Sequence, residues 1–319
     1  MATDDDGIVA LDNPADFATS RPSAARFVDA VYRGEPFLGR AALQYGVLTR
    51  HDLQTRFRKV HPRVFVARSA ELTTYQTIRA AWLWAGPGSV LCAGTAAFLT
   101  GEEYFGTEMV DDAVQLWRPD FRTPPPGIVV RRWRAAPESV QVGGMSVTTP
   151  ARTAIDLARQ LDSDVRAVAA LDSMCRTGRA TPDAIAETAF TMAGHTGVRR
   201  VLGLLPSVDP KAESPKETEL RLLMAATDLP QLESQVEVFD ELGRLVSRLD
   251  LGNREWKVGL QYDGEEHLKR ERRDRDSMSN ARLGVLGWDA PRVTQGMLRS
   301  PKDLIGFARA AFERQGWRP

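Results

Sequence analysis

Five residues in the last third of the chain have types and spacing that could hydrolyse a phosphodiester: Glu217, Asp250, Gln261, Asp263 and His267. The stretch from Trp256 to Asp263 reads as a strand. Its period of two puts Trp256, Val258, Leu260 and Tyr262 on an apolar face and Lys257, Gly259, Gln261 and Asp263 on the other. The preceding strand, Leu245–Leu251, carries Asp250 near its end, so Asp250, Gln261 and Asp263 are expected to converge beside the strand ends. Glu217 joins them if its helix packs across the sheet, and His267 lies just past the third strand. Hard oxygen donors of this kind suit Mg2+, which binds one or two carboxylates, waters and substrate phosphate. Such an ion activates water and neutralises charge on phosphate. On this reading Asp250 and Asp263 are the metal ligands, and Gln261 offers a neutral carbonyl oxygen. Glu217 orients water or holds a second ion, and His267 protonates the leaving oxygen or stabilises the pentavalent phosphate. Lys269, Arg270, Arg272, Arg273 and Arg275 follow at once and would meet a DNA backbone.

Each residue also has a plain structural role. Ser214-x-x-Glu217 is a capping box, and Asp263-Gly264 is a turn signal. Asp250 would close a strand before Leu251-Gly252-Asn253. Glu271, Asp274 and Asp276 interleave the basic run, as on a solvated helix with internal ion pairs.

A second constellation lies near the N-terminus. Opposite charges balance over the chain, with 42 Lys and Arg against 42 Asp and Glu, but not locally. Residues 1–39 are net acidic. Residues 40–68 carry seven bases against Asp52 alone, which points to a polyanionic partner. Residues 40–45, ending at Gly46, read as a short helix, and Thr49 is an N-cap for a second. Leu53 and Phe57, four apart, would share that helix's buried face. His61-Pro62-Arg63 turns into the short β run Val64–Val66. This is the order of a winged helix-turn-helix. Its second helix would offer Arg50, Gln54 and Arg56 to a major groove. Arg58 adds to the basic surface, and Lys59 and Arg63 would reach phosphates from the wing. The alternative is a helical hairpin that caps the next domain, its arginines merely solubilising.

These residues need a scaffold, and the chain has material for one. It has 319 residues, 43% apolar and 26% charged, a globular composition. An α/β chain, α+β overall, is expected. Residues 1–35 form an acidic, loose tail, 36–71 the winged helix-turn-helix, 72–205 a mixed α/β domain, 206–216 a proline-containing linker, and 217–319 the C-terminal domain. The C-terminal order is α-β-β-β-α-β-α. Thr149-Pro150 and Thr181-Pro182 mark helix starts. The middle region shows no catalytic constellation, and His195 reads as a loop residue. Two cysteines, Cys92 and Cys175, fit a reduced core better than a disulfide framework. The first residues lack the basic and apolar regions of a signal peptide. No stretch supplies the ~20 apolar residues of a membrane span, so a cytoplasmic protein without a membrane partner is expected.

Four segments of the C-terminal domain carry a family resemblance: SPKETELR at 214–221, RLVSRLDL at 244–251, WKVGLQYDGEEH at 256–267 and LGWDAPRVT at 286–294. As a set they resemble actinobacterial very-short-patch-repair-like proteins of the PD-(D/E)XK restriction-endonuclease fold. The resemblance implies an αβββαβ core with Glu217, Asp250, Asp263 and His267 at the family's active-site positions. The chain departs from the pattern at Gln261, where the family usually has Glu in an E-x-D-G motif, and the change removes one negative charge. Lys257 lies four residues before Gln261, outside the superfamily's usual lysine position. The segments GVLTRHDLQTRFRKVHPRVFVA at 46–67 and VTTPARTAIDLA at 147–158 resemble the AbiEi-type antitoxin of type IV toxin–antitoxin systems, over about residues 36–160. That likeness implies a DNA-binding winged helix. The leading expectation is a DNA-binding protein with a Mg2+-dependent endonuclease-like C-terminal domain, its hydrolysis impaired by Gln261. The alternative is a non-catalytic transcriptional regulator or antitoxin with a cognate toxin or other defence-system partner. A third is a protein-interaction scaffold in a defence system.

Overall fold

The structure is a computed structural model that describes residues 24–120, 122–133, 135–263 and 270–319. It divides into two compact units, Met1–Leu157 and Ala158–Pro319.

The first unit opens with α1 (Ala24–Tyr32), β1 (Phe37–Leu38), α2 (Gly39–Gln44) and α3 (Arg50–Thr55), followed by the hairpin β2 (Phe57–His61) and β3 (Val64–Ala67). The three strands pair antiparallel in the order β1-β3-β2. Thr49 caps α3 as expected: its Oγ1 accepts from Asp52 N at 3.1 Å, and Asp52 Oδ2 accepts from Thr49 N at 2.9 Å. That reciprocal cap contributes about 1 kcal/mol. Phe57 is not on the helix face expected from its spacing to Leu53, because α3 stops at Thr55 and Phe57 begins β2. Both still enter one core with Phe27, Val31, Phe37, Ala42 and Leu48. The Phe37 ring stands edge-on to Phe57 with centroids 5.2 Å apart. Gly39 is needed where it is, since a Cβ there would lie 2.6 Å from the Phe65 ring.

Helix α4 (Thr74–Ala85) follows, then β4 (Val90–Leu91), α5 (Ala93–Leu99), α6 (Phe105–Asp112), β5 (Val114–Trp117), β6 (Ile128–Arg131), β7 (Ser139–Val142), β8 (Met145–Thr148) and α7 (Pro150–Ala158). The five strands form a mixed sheet in the order β6-β5-β4-β8-β7. Ile78, Trp84, Leu91, Leu116 and Val147 form its core. Cys92 is buried in this unit and Cys175 in the other, and both are free thiols. Burial pushes the Cys175 thiol up to about 11.

The second unit starts with helices α8 (Asp164–Arg176), α9 (Pro182–Thr191) and α10 (Val198–Leu204). Next come α11 (Pro215–Ala225), β9 (Glu233–Phe239), β10 (Leu245–Asn253), β11 (Val258–Asp263), α12 (Arg270–Val285), β12 (Arg292–Thr294), α13 (Gln295–Leu298) and α14 (Pro301–Arg314). The sheet order is β12-β11-β10-β9; β9, β10 and β11 are antiparallel neighbours, and β12 runs parallel to β11. The proline-containing stretch 206–216 lies inside this unit. There Asp209 N and Thr218 Oγ1 donate to the buried Asp172 carboxylate at 2.7 and 2.8 Å, and Arg221 pairs with it at 2.7 Å. These bonds fasten α11 to α8.

Strand β11 begins at Val258, two residues later than its alternation suggests. Asn253 Oδ1 accepts the Trp256 N–H at 2.9 Å, and Lys257 sits at φ 48°, so the chain is still turning there. A second irregularity concerns the site. Leu249 packs with Val236, Val238 and Leu283, whereas Leu251 packs with Leu220, Leu260 and Phe312. Residues two apart in a regular strand share a face, so the alternation is interrupted at Asp250. Nearby in β9, Gln235 has φ 56°. A non-glycine residue held left-handed within a strand costs roughly 1–2 kcal/mol.

Candidate functional site

Strands β10 and β11 pair from Asn253↔Val258 to Leu251↔Leu260. Beyond that point side chains replace the main-chain ladder. The Tyr262 N–H donates to Asp250 Oδ2 at 2.6 Å, and Gln261 Nε2 donates to the Arg248 carbonyl at 3.1 Å and to Ser247 Oγ at 3.3 Å. Asp250 and Gln261 thus bridge a divergence between two strands, each satisfying a main-chain group that the divergence would strand.

Glu217 reaches the same place from the N-terminus of α11. Ser214 is the N-cap of that helix, and Glu217 Oε1 accepts from Ser214 Oγ at 2.9 Å. Its Oε2 accepts from Glu213 N at 2.9 Å and from Gln235 Nε2 at 2.8 Å. Glu217 therefore caps its helix and also faces the sheet. Burial, followed by the negative charge of Glu217, pushes the Asp250 carboxyl up to about 7 against the Tyr262 hydrogen bond. Glu217 is itself pushed up, first by burial, against its hydrogen bonds. Both carboxyls are half-buried and resist ionisation, Asp250 in part because of the Glu217 charge, and carboxyls in such surroundings favour a bound proton or a nearby positive charge.

Two further atoms bear on the fit of a cation. Gln235 Oε1 and Gln261 Oε1 are buried without a hydrogen-bond partner. Each is the acceptor end of an amide whose N–H is spent within this cluster, on Glu217 or on β10. Oxygen-only donors, two carboxylate and two amide, match the chemistry of a hard divalent ion. Among the described residues, no three His, Cys, Asp or Glu side chains stand together as a metal-holding group.

Asp263 is positioned by β12, with Arg292 Nη1 3.7 Å from its Oδ2, while the charges that perturb Asp250 are those of Glu217, Glu213 and Arg248. His267 and Lys269 lie outside the described residues, as do the side chains of Arg270 and Arg273. Lys257 Nζ donates to the Leu286 carbonyl. Gln235 went unnoticed in the sequence, where nothing distinguishes it from any polar strand residue; its left-handed backbone is visible only in three dimensions.

In the basic stretch 40–68, Arg50, Gln54 and Lys59 are exposed. Arg56 is exposed too, 3.8 Å from Asp52 and over the Tyr32 ring. Arg58 donates to the Ala70 carbonyl at 2.9 Å and Arg63 to the Trp84 carbonyl at 3.2 Å. Arg68 donates to the Gln54 and Thr55 carbonyls, closing the C-terminal end of α3. Carbonyl partners leave these guanidinium charges uncompensated, so the segment keeps its positive potential while three of its arginines brace the fold.

Residues 89–207 match the family described as AbiEi antitoxin C-terminal domain. The TTPARTAIDLA run falls inside that match and residues 46–67 fall before it. The curated protein Rv2248 of Mycobacterium tuberculosis strain H37Rv, described as an uncharacterized protein, is 31% identical over 234 residues, covering 72% of this chain and 83% of the relative. The chain belongs to the Rv2248 family. MT2308 from M. tuberculosis strain CDC 1551 matches to the same extent. The Rv2248 relatives share most of their length with the present chain. A crystal structure of the M. tuberculosis protein RV2827C aligns with a TM-score of 0.40 at 15% identity, over 68% of this chain and 88% of that one. No described helix is long and apolar enough to cross a membrane.

Proposed function

We propose that the protein is a DNA-binding regulator of the antitoxin type. The observation that carries the reading is the antitoxin-family match over 89–207 following a basic winged-helix segment. In that segment α3 is capped at Thr49 and braced by Arg68, and it presents Arg50 and Gln54 to solvent. A rigid, exposed helix with an arginine at its start suits a major groove, and Lys59 on the wing suits the adjacent phosphates. A cognate toxin is the partner class that the antitoxin family suggests.

Fluorescence anisotropy of the full chain with duplex DNA from its own upstream region tests this. Binding is expected without divalent cation, falling steeply with salt and weakening on Arg50→Ala. Binding that survives removal of residues 1–70 would reject it.

A second reading is favoured by the paired Glu217 and Asp250 carboxylates flanked by two unpartnered amide oxygens. In this reading the C-terminal domain is endonuclease-like. Asp250, Glu217 and Gln261 would hold a divalent ion, which when bound supplies charge neutralisation and water activation at a phosphodiester. Asp250 is fixed by the Tyr262 N–H and Glu217 by Ser214, so both carboxylates are aimed before substrate arrives. Nicking of supercoiled plasmid with Mg2+, by the wild type and not by Asp250→Ala, is the expected outcome. Equal background from both proteins rejects the hydrolytic reading.

A further inference from the structure

Resting on that second reading, we infer that Gln235 is a ligand-bearing part of the cation pocket: its amide N–H fixes Glu217 and its carbonyl oxygen faces the ion alongside Glu217, Asp250 and Gln261. Four observations carry this. Gln235 Nε2 donates to Glu217 Oε2 at 2.8 Å. Its Oε1 belongs to the same planar amide and is buried with no partner, an arrangement that leaves a desolvated acceptor in need of a donor or a cation. Its backbone is held at φ 56°, a conformation that a glutamine keeps only where the surroundings demand it. The sheet's alternation breaks at Asp250, and irregularities of this kind re-aim side chains beside active sites.

The charges also close. Glu217 and Asp250 supply two negative charges, and the two amides add oxygens without adding repulsion. A divalent cation is thus neutralised by these two carboxylates alone. Gln235 supplies one oxygen and holds Glu217 still, the role that outer partners of metal ligands commonly fill.

The test titrates Mn2+ alone into the full-length protein, reading free Mn2+ by electron paramagnetic resonance. The proteins are the wild type, Asp250→Asn, Gln235→Gly and Gln235→Met, all held below their melting temperatures. Glycine is at ease at φ 56°, so Gln235→Gly is expected to melt no lower than the wild type. It should nevertheless bind Mn2+ about tenfold or more weakly, as expected when a partner of a metal ligand is lost. Gln235→Met keeps the length without polar atoms and is expected to weaken binding likewise. If Asp250→Asn abolishes binding while both Gln235 variants bind as the wild type does, Gln235 has no part in the site and the cation pocket stands. If the wild type binds no Mn2+ at millimolar concentration, pocket and inference fall together.

Discussion

Asp250→Asn should make the protein more stable at alkaline pH and leave it nearly unchanged in acid. The carboxyl rises from an ordinary 3.8 to about 7 on folding, with burial as the main cause and the Glu217 charge second. The folded chain therefore holds this proton roughly a thousandfold more tightly than the unfolded chain. At about 1.4 kcal/mol per tenfold, ionising Asp250 at pH well above 7 costs the fold about 4 kcal/mol. The direction follows from proton counting. Between the two values the folded state binds more protons, so the contribution of Asp250 to stability is greatest below about pH 4, declines as pH rises to about 7, and is flat beyond. Asparagine cannot ionise, yet it keeps an oxygen to accept the Tyr262 N–H, so the strand divergence is preserved. Relaxation around Glu217 will absorb part of the gain, leaving about 2–4 kcal/mol at about pH 8. For a unit of this size that raises the melting temperature by roughly 5–10 °C. Calorimetry with a chelator present checks this, because a bound divalent cation would hold Asp250 ionised. A difference between variant and wild type that is the same at every pH, or a variant less stable at alkaline pH, would refute the reasoning.

On the DNA-binding reading proposed for residues 40–68, Arg50→Ala should lower DNA affinity and reduce the slope of log affinity against log salt by about 1. Arg68→Ala should instead lower the melting temperature through loss of its two bonds to the α3 carbonyls, about 1 kcal/mol each. Asp172→Asn leaves the Arg221 guanidinium uncompensated against a buried residue, so urea unfolding should show a loss of about 3–5 kcal/mol. Gln261→Glu places a third carboxylate among Glu217 and Asp250; it should melt lower than the wild type at neutral pH in chelator and regain stability with Mn2+, read by scanning fluorimetry.

Much of the architecture was legible because its signals are local. Ser214-Pro215 and Thr181-Pro182 begin helices where their chemistry says they must. The α-β-β-β-α-β-α order of the C-terminal segment appears as α11 to α14 with one short extra helix. The arginines of 40–68 were harder to read. Arg58, Arg63 and Arg68 look identical to Arg50 in the sequence, and what separates them is a main-chain carbonyl of another element within reach. Those acceptors come from residues 12 to 21 positions away, and no spacing rule identifies them.

The site was half legible for a related reason. Alternation along β11 groups Gln261 with Asp263, and that grouping is correct for a regular strand. The working neighbourhood is set across strands instead, at the place where β10 and β11 part. Parting exposes the Tyr262 N–H and the Arg248 carbonyl, and buried main-chain groups must find partners. Asp250 and Gln261 are the side chains that supply them, so the same residues that keep the divergence open also line it. The next group drawn in comes from the far side of β10, where β9 bends through Gln235 and hands its amide to Glu217. Asp263 stays with β12 and Arg292, one strand further along. Residues that satisfy the backbone at a strand divergence are thereby desolvated and fixed in direction, two conditions that an ion-binding carboxylate needs. Asp250 meets both, and for that reason substitutions there and at Gln235 should separate cation binding from stability more cleanly than substitutions at Asp263.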